Sequence, residues 1–174
     1  MPSRHAAEAA ASENSTAAVR SFALRFLAWA LVTAGLMAWS RAYESELTPL
    51  LRFLALAAWA LHSAVGGSLQ LKDQMVFGHG VQPVEVGGLC SGLDVIFLVV
   101  GAVLATRFPW PKRLLGIACM VVGVIVLNVF RLAWLFHLSE ERSPHFHDFH
   151  SHGGALLLIL GGTALFLVWA RRTR

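Results

Sequence analysis

Five apolar segments occupy most of this 174-residue chain and constrain its fold more than any other feature. They cover residues 22–40, 47–69, 93–106, 114–136 and 154–170. A helix needs about 20 apolar residues to cross a bilayer, so most of these segments are near that length. The chain is 56% hydrophobic and 14% charged, whereas a soluble domain has about 25% charged residues. The sequence predicts an all-α polytopic membrane protein with a single domain over residues 21–174.

The positive charges predict how many segments cross the membrane. They cluster at Arg20 and Arg25, at Arg107, Lys112 and Arg113, and at Arg171, Arg172 and Arg174. All three clusters share the cytoplasmic side, as the positive-inside rule favours, only if segment 47–69 does not cross. That segment places Thr48, Arg52, Trp59 and His62 on one helical stripe, which is typical of an interfacial helix. We therefore expect four transmembrane helices and an interfacial or re-entrant helix on the outer face.

The regions outside these segments complete the predicted topology. Residues 1–20 contain no apolar run, which predicts a flexible cytoplasmic tail. Residues 68–88 alternate in places and contain Gly78-His79-Gly80, which predicts a short β-hairpin-like loop at the outer surface. The basic residues outnumber the acidic ones by 14 to 10. They lack the aromatic-interleaved pattern of a nucleic-acid groove, and the partner that they indicate is the lipid bilayer.

A cysteine stands where the outer loop meets the third apolar segment. Cys90 follows Gly87 and Gly88 and precedes the run that begins at Leu93. A helix N-terminus stabilises a thiolate, and the thiolate is the nucleophilic form of cysteine. Cys119 lies in the middle of an apolar segment, which predicts a buried core residue and argues against a disulfide with Cys90. Cys90 is therefore the candidate nucleophile.

An arginine within the fourth segment is the second candidate site residue. Arg131 is costly in lipid and should face protein or water. Asn128 lies three residues earlier on the same helix face, and Asp94 lies one helical turn after Cys90. An ion pair between Asp94 and Arg131 would bring the guanidinium close to the thiol. Arg131 could then stabilise a thiolate or an oxyanion, although an arginine that snorkels to a helix end explains the spacing equally well.

A histidine-rich loop precedes the last apolar segment. It contains His145, His147, His150 and His152. One of these could transfer a proton to or from the reacting groups. The same loop, with Asp148, also has enough ligands for a metal ion. The alternative to an enzyme is thus a metal-binding or structural membrane subunit that uses residues 145–152.

Taken in order, these residues resemble the exosortase/archaeosortase family of membrane cysteine transpeptidases. The similarity rests on Cys90-Ser91-Gly92-Leu93-Asp94, on Asn128-Val129-Phe130-Arg131 and on a histidine before the last span. It covers residues 22–170 and is greatest to the small exosortase H group. Ser91 replaces a common asparagine and Asp94 a common glutamate.

The resemblance assigns roles to individual residues. It implies Cys90 as nucleophile and Arg131 as catalytic arginine. It also implies a histidine followed four residues later by glycine or an aromatic residue, which fits His150 and Gly154. His147 and His152 are the alternatives, and Asp94 and Asn128 would support the site. No metal or other cofactor is implied. The substrates would be exported proteins with a C-terminal motif, a membrane helix and a basic tail, cleaved through a thioester on Cys90 at the periplasmic face of the bacterial inner membrane.

Overall fold

In a computed structural model, the described residues form six α-helices and a three-stranded sheet. The structure describes residues 4–40, 46–78, 80, 81 and 83–173, and the side chains of 4–15, 36, 37, 39 and 40 are not described. The helices are α1 (Arg4–Ser40), α2 (Thr48–Ala64), α3 (Leu93–Ala105), α4 (Trp110–Glu140), α5 (Phe146–Asp148) and α6 (Gly154–Thr173). The strands are β1 (Gln70–Lys72), β2 (Met75–Phe77) and β3 (Val84–Glu85).

Three helices within the described ranges are long and apolar enough to cross a membrane. They are Thr16–Gly35 within α1, Trp110–Glu140, and Phe146–Thr173, which includes α5 and α6. The predicted all-α polytopic membrane protein is thereby confirmed. Helix α3 is apolar but has only 13 residues, so it is about 20 Å long at 1.5 Å per residue. The predicted fourth crossing, by α3, stays a prediction.

Helices α1, α3, α4 and α6 pack together as a bundle. Its interior is a cluster that we call the bundle core, made of Val95, Ile96, Val99, Val103, Met120, Val124, Leu158 and Trp169. Trp29 of α1 lies over Gly101 of α3, where a Cβ atom would overlap the indole. The indole N–H donates a hydrogen bond to the Phe97 carbonyl (3.2 Å). Close helix contact at small residues is the packing expected in a bilayer.

Helix α2 and the sheet pack on the C-terminal half of α4. Their shared cluster, the cap core, consists of Leu51, Leu54, Ala55, Ala58, Leu69, Val76, Val84, Val86, Cys90, Leu132, Ala133, Leu135 and Phe136. Helix α2 begins with Pro49 in its first turn, where a missing N–H has no cost. Phe53 and Leu56 on its other face are more than half exposed. An apolar exposed face fits the predicted interfacial position of this helix.

The three strands are antiparallel in the order β1–β2–β3. Leu71 pairs with Val76 across the first hairpin, and Val76 pairs with Val84 across the second junction. Asp73 turns the first hairpin with φ +57°, a conformation that aspartate tolerates better than most residues. The predicted hairpin is present. The sequence did not predict β3, because it has two residues and directly follows Pro83.

One prediction about a helix stays a prediction and another needs correction. Helix α1 begins at Arg4, so residues 4–20 have a helical backbone; residues 1–3 lie outside the described residues. The flexible cytoplasmic tail over residues 1–20 stays a prediction. The alanines in this stretch favour helix. The prediction that needs correction is the polar stripe of α2, because one of its residues is buried in the protein. His62 is only 1% exposed, because α2 turns this side chain toward α4.

Candidate active site

Cys90 ends a tight turn that joins the sheet to α3. A turn of 3₁₀-helix covers Gly88–Cys90, and the Cys90 N–H donates to the Gly87 carbonyl (2.8 Å). Gly92 then begins α3 with φ +72°, a left-handed conformation that costs other residues about 1 kcal/mol or more. The glycines around the cysteine therefore shape the turn. They leave the Cys90 side chain 5% exposed, at the margin of the cap core.

A buried asparagine connects this turn to the arginine. The Asn128 side chain is fully buried, and its Nδ2 atom donates to the Cys90 carbonyl oxygen (2.8 Å). Its Oδ1 atom accepts a hydrogen bond from Nη1 of Arg131 (3.4 Å). The amide thus uses both of its polar ends, as a buried amide should. One side chain fixes the cysteine turn relative to the guanidinium.

Arg131 is held beneath the start of α6. Its side chain is 7% exposed, and it passes so close to Gly154 that a Cβ atom there would overlap the Nε atom. The guanidinium acts electrostatically on both the Cys90 thiol and the His150 imidazole. Position 154, four residues after His150, therefore requires a glycine, because a larger residue would occupy the space of the Arg131 side chain. This arginine does not snorkel to a helix end.

The surroundings of Cys90 favour the neutral form of its thiol. Burial raises the pKa of the thiol, and the Arg131 charge and the Gly87 backbone interaction offset only part of that rise. The sequence predicted a thiolate stabilised by the helix N-terminus. Burial acts against such stabilisation, because it removes water from the charged form. A reaction at this sulfur requires a base that takes the proton.

His150 lies in a turn of π-helix, Phe149–Gly153, between α5 and α6. Its imidazole stacks on the Phe146 ring with centroids 5.9 Å apart, and it lines a cleft of about 460 Å³ beside β3. The side chain is exposed to solvent at this cleft. A π-helical turn often marks a functional site. His150 is thus placed where its imidazole is accessible to water.

The other histidines of the loop are also exposed. His145, His147 and His152 have exposed side chains, and His147 acts electrostatically on His150. Within the described ranges, no three histidine, cysteine or acidic side chains lie close enough together to hold a metal ion. The loop therefore offers the metal-binding alternative no assembled ligand set.

Asp94 does not form the predicted ion pair. The ion pairs among described residues join Arg52 to Asp73 and His62 to Glu140, and the Asp94 side chain is exposed. It lies in the first turn of α3, where a carboxylate is stabilised by the helix dipole without any partner. Asn128 occupies the position beside Arg131 that the sequence assigned to Asp94.

Comparison with known protein families identifies the chain. The family model described as transmembrane exosortase matches residues 15–170, which is nearly the whole chain. The chain belongs to the transmembrane exosortase family. Neither a curated protein nor a solved structure matches this exosortase.

Sequence reasoning missed a second polar cluster in this exosortase. The Nε2 atom of His62 lies 2.8 Å from Oε2 of Glu140. The other carboxylate oxygen accepts hydrogen bonds from the Ser68 N–H (2.8 Å) and the Ser68 hydroxyl. Gly67 lies directly over the His62 ring, which leaves no space for a Cβ atom. The three residues join α2, the start of β1 and the end of α4, and sequence separations of 72 and 78 residues left no local signal.

The second cysteine of the exosortase has a different environment from the one predicted. Cys119 is free and exposed, whereas Cys90 is free and buried. Cys119 lies on a face of α4 that also exposes Leu115 and Val122. The prediction of a buried core position was wrong, because an apolar segment in a membrane protein exposes apolar side chains to lipid as readily as it buries them. No disulfide joins the two cysteines.

Proposed function

We propose that this exosortase is a cysteine transpeptidase that cleaves the C-terminal sorting signals of exported proteins. The observation that supports the proposal most directly is the buried chain of contacts from the Cys90 turn through Asn128 to Arg131. A buried cation beside a thiol is an arrangement that can stabilise a developing oxyanion. The family match over residues 15–170 supports the same class of enzyme.

The proposed reaction begins with a neutral thiol. His150 takes the proton from Cys90 as the sulfur attacks the scissile carbonyl carbon of the substrate. The carbonyl oxygen becomes an oxyanion, which the Arg131 guanidinium stabilises. The tetrahedral intermediate collapses as the C–N bond breaks, and the leaving amine receives the proton from His150. A thioester on Cys90 remains, and the substrate's C-terminal helix leaves.

The thioester is then transferred to an acceptor. An amine or a water molecule attacks the thioester carbonyl, gives up a proton to His150 and releases the Cys90 thiol, which regains that proton. Arg131 stabilises the oxyanion in this step as well. Asn128 acts by position, because it holds the Cys90 turn and the guanidinium in one geometry. His147 and His152 remain alternatives to His150 for proton transfer.

The proposal includes an orientation in the bacterial inner membrane. Helices α1, α3, α4 and α6 cross, α2 lies in the outer interface, and the cap faces the periplasm. Arg107 precedes α4, and Lys112 and Arg113 lie in its first turn, at the opposite end of the helix from Arg131. These positive charges support a cytoplasmic position for that end. The substrates would be exported proteins with a motif, a membrane helix and a basic tail at the C-terminus.

The test is cleavage of a tailed substrate in the presence of hydroxylamine. Parent enzyme and the variants Cys90→Ala, Cys119→Ala, Arg131→Ala and His150→Ala would be co-expressed with a reporter that bears such a tail from the same genome. We expect the parent and Cys119→Ala to cleave and to release a hydroxamate from the intercepted thioester. Cys90→Ala should release none, and Arg131→Ala should lose at least about 100-fold in rate. Unchanged cleavage by Cys90→Ala contradicts the proposal.

A further inference from the structure

Strand β3 forms one edge of the sheet, and among the described residues it pairs with β2 alone. Its register pairs Glu85 with Met75 and Val84 with Val76. The N–H of Val86 donates to the Gln74 carbonyl (2.9 Å). In an antiparallel ladder, this bond identifies the Glu85–Met75 pair as the non-hydrogen-bonded type. The N–H and the carbonyl of Glu85 therefore both point away from β2, toward the open edge.

The open edge of β3 borders the cleft that contains His150. Val84 and Glu85 line one wall, and Ser139, Arg142 and His150 line the other parts of the cleft, whose volume is about 460 Å³. The Arg142 guanidinium packs against Gly80, where a Cβ atom would overlap it. The cleft thus has a main-chain donor and acceptor on one side and charged groups of both signs around it. These are features of a peptide site rather than of an apolar pocket.

The edge also leads directly to the cysteine. Cys90 lies five residues after Glu85, which is at most about 18 Å of extended chain. The sheet side chains that alternate with Glu85 are fixed, because Val84 and Val86 are buried in the cap core. The Glu85 side chain itself accepts a hydrogen bond from Nε2 of Gln74 (3.0 Å). The strand is therefore a rigid edge whose position relative to the Cys90 turn is set by the fold.

We propose that an extended segment of the substrate adds to the sheet as a fourth strand beside β3. The segment is the peptide that precedes the substrate's membrane helix, and its main chain pairs with the N–H and carbonyl of Glu85. Strand addition gives affinity from main-chain hydrogen bonds, which explains how a peptide can be aligned in a cleft with few deep side-chain pockets. The inference rests on the proposed function, because it describes how the cleaved segment is held.

The substitutions Glu85→Pro and Glu85→Ala separate the contribution of the Glu85 main-chain N–H from that of its carboxylate. Glu85→Pro removes the outward N–H without breaking the bonds to β2, and proline is tolerated on an edge strand. Glu85→Ala keeps the N–H and removes the carboxylate. We expect Glu85→Pro to lower kcat/KM for the tailed reporter at least 10-fold, and Glu85→Ala to stay within about threefold of the parent. Equal rates for Glu85→Pro and parent, or equal losses in both variants, overturn the inference.

Two further measurements distinguish a loss of substrate pairing from a loss of folding. Folding of Glu85→Pro is checked by the thermal transition of Trp59 fluorescence, because the Trp59 indole N–H donates to the Leu69 carbonyl within the cap (2.8 Å). Val84→Pro, which removes a donor to β2, is the control for a disrupted sheet. If Glu85→Pro shifts this transition as Val84→Pro does, the decision passes to the binding measurement below.

That binding measurement uses Cys90→Ala protein, which cannot form a thioester. Hydrogen exchange of the segment that contains Glu85 is recorded with and without the tailed reporter. Slower exchange on addition supports strand addition, and unchanged exchange overturns it. Absence of cleavage by the parent contradicts the proposed function alone, since the exchange measurement decides the strand addition separately.

Discussion

The cap core and the bundle core are both hydrophobic, but they differ in the polar groups around them. The bundle encloses Thr33, whose hydroxyl returns to the Trp29 carbonyl of its own helix. The cap side encloses His62 and Ser139, and the junction between the two cores encloses Ser91, Asn128 and Arg131. The bundle is therefore held mainly by packing, whereas the cap and the junction depend on specific polar contacts.

The junction is where the candidate site lies. On α4, Asn128 and Arg131 stand between Val124 of the bundle core and Leu132 of the cap core. Cys90 belongs to the cap core, and Val95 five residues later belongs to the bundle core. A site at this position receives its rigidity from the bundle and its access to water from the cap. Substitutions that affect one region and not the other can test this division.

The largest effect is expected from Gly154→Ala. The new methyl group would overlap the Arg131 side chain, and a guanidinium displaced by about 1 Å loses its alignment with the oxyanion. We expect a fall in kcat of about 100-fold on the tailed reporter. Gly161→Ala is the matched control, because it adds the same methyl group to the same helix but meets only the flexible Leu127 side chain. Equal activity of the two variants would contradict the role of Gly154.

A loss of cap stability is expected from Glu140→Ala. The substitution leaves His62 buried without its carboxylate partner and removes the acceptor for Ser68. An unsatisfied buried group costs about 1–3 kcal/mol. The Trp59 fluorescence transition should shift to lower temperature by a corresponding amount. Glu141→Ala changes the neighbouring exposed residue, and a similar shift in that variant would count against a specific role for the cluster.

A smaller effect is expected on the pH dependence of Cys90 alkylation. Because burial raises the pKa of this thiol, the rate of reaction with iodoacetamide should rise at higher pH than in the unfolded chain. Cys119→Ala protein gives a signal from Cys90 alone. Arg131→Gln removes a charge that lowers this pKa, so its midpoint should be higher still. A midpoint below that of the unfolded chain would show that the thiolate is stabilised in the resting protein.

The smallest effect is expected from Arg52→Ala. The Arg52–Asp73 pair joins α2 to the first hairpin at 3.2 Å, but both side chains are more than half exposed. Exposed ion pairs contribute less than about 1 kcal/mol. The Trp59 transition should therefore change little, and less in high salt than in low salt. A shift as large as that of Glu140→Ala would mean that the exposed surface of the cap is as important as its interior.

Much of the fold was predictable because it depends on local pattern. The long apolar runs predicted the membrane helices, and the alternation in residues 68–88 predicted the hairpin. The three-residue spacing of Asn128 and Arg131 placed them on one face, where they form a hydrogen bond. The position of Cys90 in a turn before α3 followed from the surrounding glycines.

The predictions that failed concern which side of a helix a residue occupies. Cys119 and Asp94 are exposed although the sequence predicted a buried residue and an ion pair. In a helix that is apolar on every side, periodicity does not distinguish a protein contact from a lipid contact. The His62–Glu140 pair joins distant segments, and neither residue has a neighbour that indicates the other.

The length of α4 has a consequence for the position of cleavage under the proposed function. Its 31 residues span about 46 Å, whereas the hydrocarbon layer is about 30 Å thick. Arg131 lies nine residues before Glu140, or about 14 Å below the outer end of the helix. If the proposed reaction takes place beside Arg131, α4 fixes the height of that reaction relative to the bilayer midplane. We expect cleavage at a fixed number of residues from the substrate's own membrane helix, whatever the length of the domain outside.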